Sequence, residues 1–143
     1  MSEWKSRTAV ITGGGRGFGL AFGRALAAEG AHIGLIDIDA DAAEEAARSI
    51  RNEGGAAEGL PGDVTDEARM NAVMAQLAAR HGGIDLLINN AGISQRSFCV
   101  DTDFAVYRQL LEVDVLGQIA LTQAVLPVML ERMLGIGASS GAG

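Results

Sequence analysis

The sequence predicts an α/β fold, a doubly wound parallel sheet with helices on both faces. Three observations predict it. Short β-branched apolar runs alternate with segments of helical periodicity along the chain, the pattern of a parallel sheet with right-handed crossovers. The first such run, Thr8 to Thr12, is followed at once by a glycine-rich turn that opens a helix. The later strands end in short polar or glycine-rich turns, and those turns fall on the same edge of a parallel sheet.

The elements follow in order. "TAVIT" (Thr8 to Thr12) is β-branched and free of charge, as a strand buried on both faces requires. Phe18, Phe22, Ala25 and Leu26 then recur at helical spacing, and Gly30 ends that helix. "HIGLI" (His32 to Ile36) is the second strand. Asp39 is placed to cap a helix that carries Ala43, Ala47 and Ile50. "AAEGL" (Ala56 to Leu60) is a weaker third strand. Thr65, Asp66 and Glu67 supply a cap and negative charge at a helix start, where the dipole favours them. Met70, Val73, Met74 and Leu77 form that helix's buried stripe, and Gly82 closes it. "IDLLI" (Ile84 to Ile88) is the fourth strand. A long helix follows from about Asp103 to Met133, apolar on more than one side, with Pro127 expected to kink it. Such a helix is either deeply buried or shared with another subunit. The closing run "GIGASSGAG" (Gly135 to Gly143) is expected to hold a fifth strand, giving strand order 3-2-1-4-5 in one domain over residues 1–143.

Composition narrows the function. Residues are 48% hydrophobic but only 4% aromatic, so the core is built from Ala, Val, Ile and Leu. A formal charge of −7 argues against a nucleic-acid backbone or an anionic membrane as partner. The single cysteine, Cys99, cannot form an internal disulfide, which fits a reducing, cytoplasmic compartment. No run reaches the ~18 consecutive apolar residues of a membrane span, and the first ten residues lack a signal-peptide core. No metal-ligand cluster is legible: His32 has no ligand neighbours in sequence, and His81 stands at a helix end, where it complements the dipole. Met70, Met74 and Met129 are core filling, and Trp4 is expected to cover the sheet edge.

The candidate site lies in the turns. Between the first strand and helix runs Thr12-Gly13-Gly14-Gly15-Arg16-Gly17-Phe18-Gly19. Glycines there allow a dinucleotide's pyrophosphate to approach the backbone, and the helix N-terminus offers free N–H groups and positive potential. Asp37 ends the second strand 18 residues after Gly19, near the ~20-residue offset at which an acidic side chain meets the adenosine ribose. Gly62-Asp63-Val64 and Asn89-Asn90-Ala91-Gly92 end the third and fourth strands. This is the layout of a Rossmann-type nucleotide site.

Taken together, "TGGGRGFG", the Asp closing strand two, "GDV" and "NNAG" resemble the short-chain dehydrogenases/reductases, with the resemblance running from about Arg7 to Gly143. It implies reversible hydride transfer between a nicotinamide cofactor and an alcohol or carbonyl substrate. It also implies that Gly13, Gly17 and Gly19 are the motif glycines, that Gly14, Gly15 and Arg16 fill the turn, and that Phe18 belongs to the same binding segment. Asp37 would hold the ribose hydroxyls, Asp63 the adenine amino group with Val64 beside it, and Asn90, Ala91 and Gly92 the cofactor's ribose. Asn89 would brace the sheet and Thr12 would tie the glycine turn to a neighbouring strand. Asp37 favours NAD over NADP, since a 2′-phosphate would meet a like charge, although Arg16 points the other way. The family's catalytic set is an Asn in the long helix, a Ser after the fifth strand, and a Tyr and Lys beyond it. Ser140 matches the Ser, and Asp114 stands where the Asn is usual. The family also packs its long helix against a copy, implying a homodimer or homotetramer that buries Leu116, Leu121 or their neighbours.

Three departures qualify the match: Asp114 itself, the poor strand "GIGA", and Tyr107 with Leu111 in place of a Lys four residues on. The 143 residues alone are therefore expected to be inactive, and the chain is expected to continue to a Tyr and a Lys. Ser94, Gln95, Arg96 and the loop to Val100 are the segment expected to reach substrate. Two other classes stay open from the residues: a non-catalytic nucleotide-binding sensor or scaffold of the same descent, and a methyltransferase.

Overall fold

A computed structural model describes residues 3–92 and 102–133. The expected fifth strand, Ser139 and Ser140, Cys99 and the segment from Ser94 to Val100 lie outside the described residues. The elements are β1 (Thr8–Thr12), α1 (Gly17–Ala28), β2 (His32–Asp37), α2 (Ala40–Asn52), β3 (Ala56–Pro61), α3 (Glu67–His81), β4 (Leu86–Ile88), α4 (Phe104–Leu111), a π-helical turn (Glu112–Leu116) and α5 (Gly117–Met133).

The four described strands are parallel, in the order β3-β2-β1-β4. β1 is buried along its whole length. Strand alternation sends its side chains to two cores. Ala9 and Ile11 join Ile33 and Leu35 on one face, under Ala27 of α1 and Ala46, Ala47 and Ile50 of α2. Val10 and Ile36 face the other way, under Met70, Val73, Met74 and Leu77 of α3 and Leu121 and Val125 of α5. Helices thus cover both faces, as the sequence predicts. Trp4 packs, partly buried, against the first core.

Asp39, Asp66 and Asp103 cap α2, α3 and α4, each accepting from a backbone N–H of the first turn. Gly82 closes α3 at φ 78°. β4 is shorter than expected. Asp85 N–H still donates to the Thr8 carbonyl, but the Asp85 side chain accepts from Thr8 N–H at 2.8 Å and pairs with Arg7 at 3.2 Å, so the ladder begins one residue later, at Ala9 opposite Leu86.

Two expectations about helices are corrected. In α1 the buried residues are Gly19, Gly23 and Ala27, while Phe18 is 79% exposed and Phe22 45%. The close approach of α1 to β2 leaves room only for small side chains, so the phenylalanines face outward. The long helix is neither uniform nor deeply buried. A π-helical turn interrupts it at Glu112–Leu116, and α5 runs through Pro127. Leu121, expected at a subunit interface, is fully buried within this chain. The stretch Phe104–Glu131 has a mean hydropathy of 1.6 in its most apolar window, of which 17% is buried. By length and composition it is apolar enough to cross a membrane, which a search for unbroken apolar runs does not register.

The amino edge of the sheet also differs from expectation. His32 and His81 stack there with ring centroids 3.7 Å apart, and Glu58 lies within ion-pair distance of His32, at 3.9 Å. Burial pushes His32 below its ordinary value, with the His81 charge acting in the same direction and Glu58 opposing.

Leu77 is fully buried at the centre of the second core. Leu77→Ala is expected to lower the free energy of unfolding by about 2–5 kcal/mol, read from denaturant or thermal unfolding.

Candidate functional site

The parallel register brings Thr12, Asp37, Pro61 and Ile88 to one edge. The turns that follow them build the site. The Thr12 hydroxyl fastens two of these turns together. Its Oγ1 accepts from the N–H groups of Asn90 at 3.0 Å and Ala91 at 2.9 Å, and donates, at a long 3.5 Å, to the Ile88 carbonyl. Asn90 Nδ2 donates to the Gly13 carbonyl at 3.2 Å. Thr12 thus takes the tying role expected of it.

Gly19 explains why the turn needs glycine. A Cβ at Gly19 would lie 2.2 Å from the Gly13 carbonyl oxygen, closer than any two such atoms can come. Gly13 itself has φ +63°, a region that favours glycine. The turn is pressed against α1 to a distance that only glycine permits.

α1 starts differently from the other helices. Arg16 occupies its N-cap position and makes no side-chain cap, whereas α2, α3 and α4 are each capped by an aspartate. The first turn of an uncapped helix presents N–H donors and positive potential, and here Gly17 and Phe18 of that turn line a cleft of about 810 Å³.

Asp37 is oriented by backbone. Gly15 N–H donates to its Oδ2 at 2.9 Å and Asp39 N–H to its Oδ1 at 3.0 Å. Each carboxylate oxygen keeps further acceptor capacity, and the residue lines the cleft. Arg16 is ion-paired to Asp39 at 2.8 Å. The Ala42 N–H first, and Arg16 with it, hold the Asp39 carboxyl below its ordinary value. Asp63 accepts from the Thr65 N–H and hydroxyl at 2.9 and 2.7 Å, and Val64 is buried beside it.

The cleft gathers Gly13, Arg16, Gly17, Phe18, Asp37, Asp63, Val64, Asn90, Ala91 and Gly92. Gly14, Gly15 and Gly19, expected with them, shape the site from beneath. Cβ atoms on these three would meet Leu35, Asp37 with Ala42, and Gly13 respectively. Asn89 donates to Thr122 Oγ1 of α5 at 3.2 Å, bracing β4 as expected. Asp114 lies in the π-helical turn and faces a second space of about 500 Å³ lined with Asn89, Gln118 and Thr122. It borders the main cleft through Gly92, where a Cβ would stand 3.3 Å from its Oδ1. Ser140 lies outside the described residues.

Sequence reasoning missed Ile38, Thr65, Arg108, Gln109 and Glu112, which also line the cleft. Ile38 had a signal: a large apolar residue just past a strand end, 74% exposed. The α4 residues had none, because nothing in their spacing shows that α4 returns over the cleft.

The model of the short chain dehydrogenase family matches residues 7–143. The chain belongs to this family. It is 37% identical over 131 residues to 2-(S)-hydroxypropyl-CoM dehydrogenase 3 of Xanthobacter autotrophicus, covering 92% of this chain and 51% of that protein. It is 38% identical over 124 residues to a sorbitol dehydrogenase of Cereibacter sphaeroides, covering 87% and 47%. Among solved structures it matches NAD+-bound xylitol dehydrogenase with a TM-score of 0.85 at 31% identity, covering 91% of this chain and 50% of the other. The chain spans about half the length of the curated relatives it matches. The family match separates it from the methyltransferases.

Thr12→Val keeps the shape of β1 but leaves the amides of Asn90 and Ala91 without their acceptor. It is expected to cost about 1–3 kcal/mol in unfolding free energy and to weaken dinucleotide binding, with Thr12→Ser restoring both. Chemical denaturation and NADH fluorescence titration check the two parts.

Proposed function

We propose that the protein carrying this chain is an NAD-dependent oxidoreductase acting on a small alcohol or ketone. The observation that carries the reading is the cleft at the carboxyl edge of the sheet, where an uncapped helix N-terminus, the pressed glycine turn and a backbone-oriented carboxylate converge in a member of this family. Bound there, the nicotinamide cofactor would supply the hydride chemistry. The chain's residues would do the rest. Gly13 to Gly19 would seat the pyrophosphate, with Gly14 and Gly15 shaping the turn. Asp37 would accept from both ribose hydroxyls. Asp63 and Val64 would hold the adenine, and Asn90, Ala91 and Gly92 the second ribose. Ser140 would hold the substrate oxygen. Asp114 would take the place in the proton relay where the family usually has Asn. As a carboxylate it accepts hydrogen bonds but donates none, so its partners there must be donors. Proton transfer itself would fall to the family's Tyr, whose free pKa near ~10 has to be lowered by a neighbouring Lys.

NAD is favoured over NADP by two features. A 2′-phosphate would sit against the Asp37 carboxylate, at a cost of about 1–4 kcal/mol for like charges near ~4 Å. Arg16, the cation in the turn, is engaged by Asp39. The NAD+-bound xylitol dehydrogenase among the similar structures is in keeping with this, and relatives named for sorbitol and xylitol support an alcohol as the substrate class.

The apolar surface of α4 and α5 is the proposed subunit interface. Leu111, Leu116, Ile119, Leu126 and Leu130 are all exposed, a contiguous helical stripe that a second copy would cover in a homodimer or homotetramer.

Three measurements check these readings. NAD is expected to bind about 10- to 1,000-fold more tightly than NADP, with Asp37→Ser reducing the ratio, and the intact protein is expected to reduce NAD with polyols or secondary alcohols. Tighter NADP binding would overturn the cofactor assignment. Leu116→Asp is expected to shift the sedimentation coefficient from an oligomer to a monomer. A wild-type monomer at micromolar concentration would overturn the interface.

A further inference from the structure

Both histidines of this chain meet at one place, on the edge of the sheet opposite the cofactor cleft. His32 is the first residue of β2 and pairs in register with Ala56, two residues before Glu58 in β3. His81 is the last residue of α3. One ligand atom from each of His32, Glu58 and His81 can be chosen so that all three lie within 4.8 Å of one another, and all three side chains are half-buried. Three elements separated in sequence thus deliver two imidazoles and a carboxylate to one spot.

The site has unmet chemistry. His32 Nε2 and Glu58 Oε1 are shielded from solvent, and neither has a hydrogen-bond partner among the described residues. Shielded polar atoms are normally satisfied, so these two point to a species that bridges them. Arg80, also in the last turn of α3, contacts Glu58 through Oε2. That contact fixes the carboxylate and leaves Oε1 as a single donor, the outer-sphere arrangement that orients metal ligands.

We propose that His32, Glu58 and His81 form a binding site for a divalent transition ion of the zinc class. Two neutral imidazoles and one carboxylate oxygen are a donor set suited to Zn²⁺, which binds both at about 2.0–2.2 Å. Tetrahedral ligands at that distance stand about 3.3 Å apart, so the side chains close by rotamer adjustment around the ion. Three protein ligands leave a fourth position to water. Because the site is at the amino edge, the ion does no redox or hydride chemistry. It staples β2, β3 and the end of α3, and its occupancy sets the stability of that side of the sheet.

The test uses the full chain with selectively labelled histidine, titrated with Zn²⁺ and, separately, with Co²⁺. The expected result is a single equivalent of Zn²⁺ that shifts both imidazole signals together, a rise in unfolding temperature that a chelator reverses, and visible Co²⁺ absorption bands of tetrahedral strength. His32→Asn and Glu58→Gln are each expected to abolish the Co²⁺ bands and the temperature rise while leaving NADH binding at the opposite edge unchanged. Imidazole signals that do not move together, or a Co²⁺ complex that keeps the weak bands of the hydrated ion, would overturn the proposal on the unmodified chain, whatever the variants do. Zn²⁺ binding that survives both substitutions would overturn it as well.

Discussion

The parallel register of the sheet is the constraint from which the rest follows. With β1 paired to β2 and β4, and β2 to β3, all four carboxyl ends open on one edge. In a parallel sheet each strand hands over there to the loop that leads into its helix. Glycine turn, acidic strand end and asparagine turn are far apart in sequence, but the register makes them neighbours. One side chain then locks the arrangement: the Thr12 hydroxyl, 1% exposed, bonds backbone groups 78 and 79 residues away.

The same constraint makes the two edges of the sheet chemically different. The carboxyl edge collects a glycine turn, a helix start without a side-chain cap and an oriented carboxylate. The amino edge collects strand starts and the last turn of α3, where Arg80 complements the helix dipole. Two polar clusters can therefore coexist, one on the turns at the carboxyl edge and one on strand residues and a helix end at the amino edge.

Much of this was legible in the sequence. "TAVIT" is too apolar for anything but a doubly buried strand. The aspartates at 39 and 66 have little reason to precede apolar helical patterns except as caps. The residues that line the cleft were legible because glycine, Asp and Asn at strand ends report backbone requirements that are local. What was not legible depended on packing between distant elements. Phe18 and Phe22 have the right spacing for a buried stripe, but the width of the gap between α1 and β2 reverses the face. The pairing of Arg16 with Asp39, the stacking of His32 on His81 and the burial of Leu121 all depend on distances across the fold, which periodicity does not encode. The π-helical turn around Asp114 has no sequence signal of its own. Such turns recur at functional sites, and here one sits where the family's relay residue is expected.

The central claim is that the carboxyl edge of this sheet is a dinucleotide site built by the glycine turn and Asp37. Backbone amide NMR during titration with NADH tests it most directly. The account predicts saturable shifts concentrated at Gly13 to Gly19, Asp37, Asp63 and Asn90 to Gly92, with the amino edge around His32 and Glu58 unmoved. Shifts centred elsewhere on the molecule, or none as NADH is raised, would contradict it.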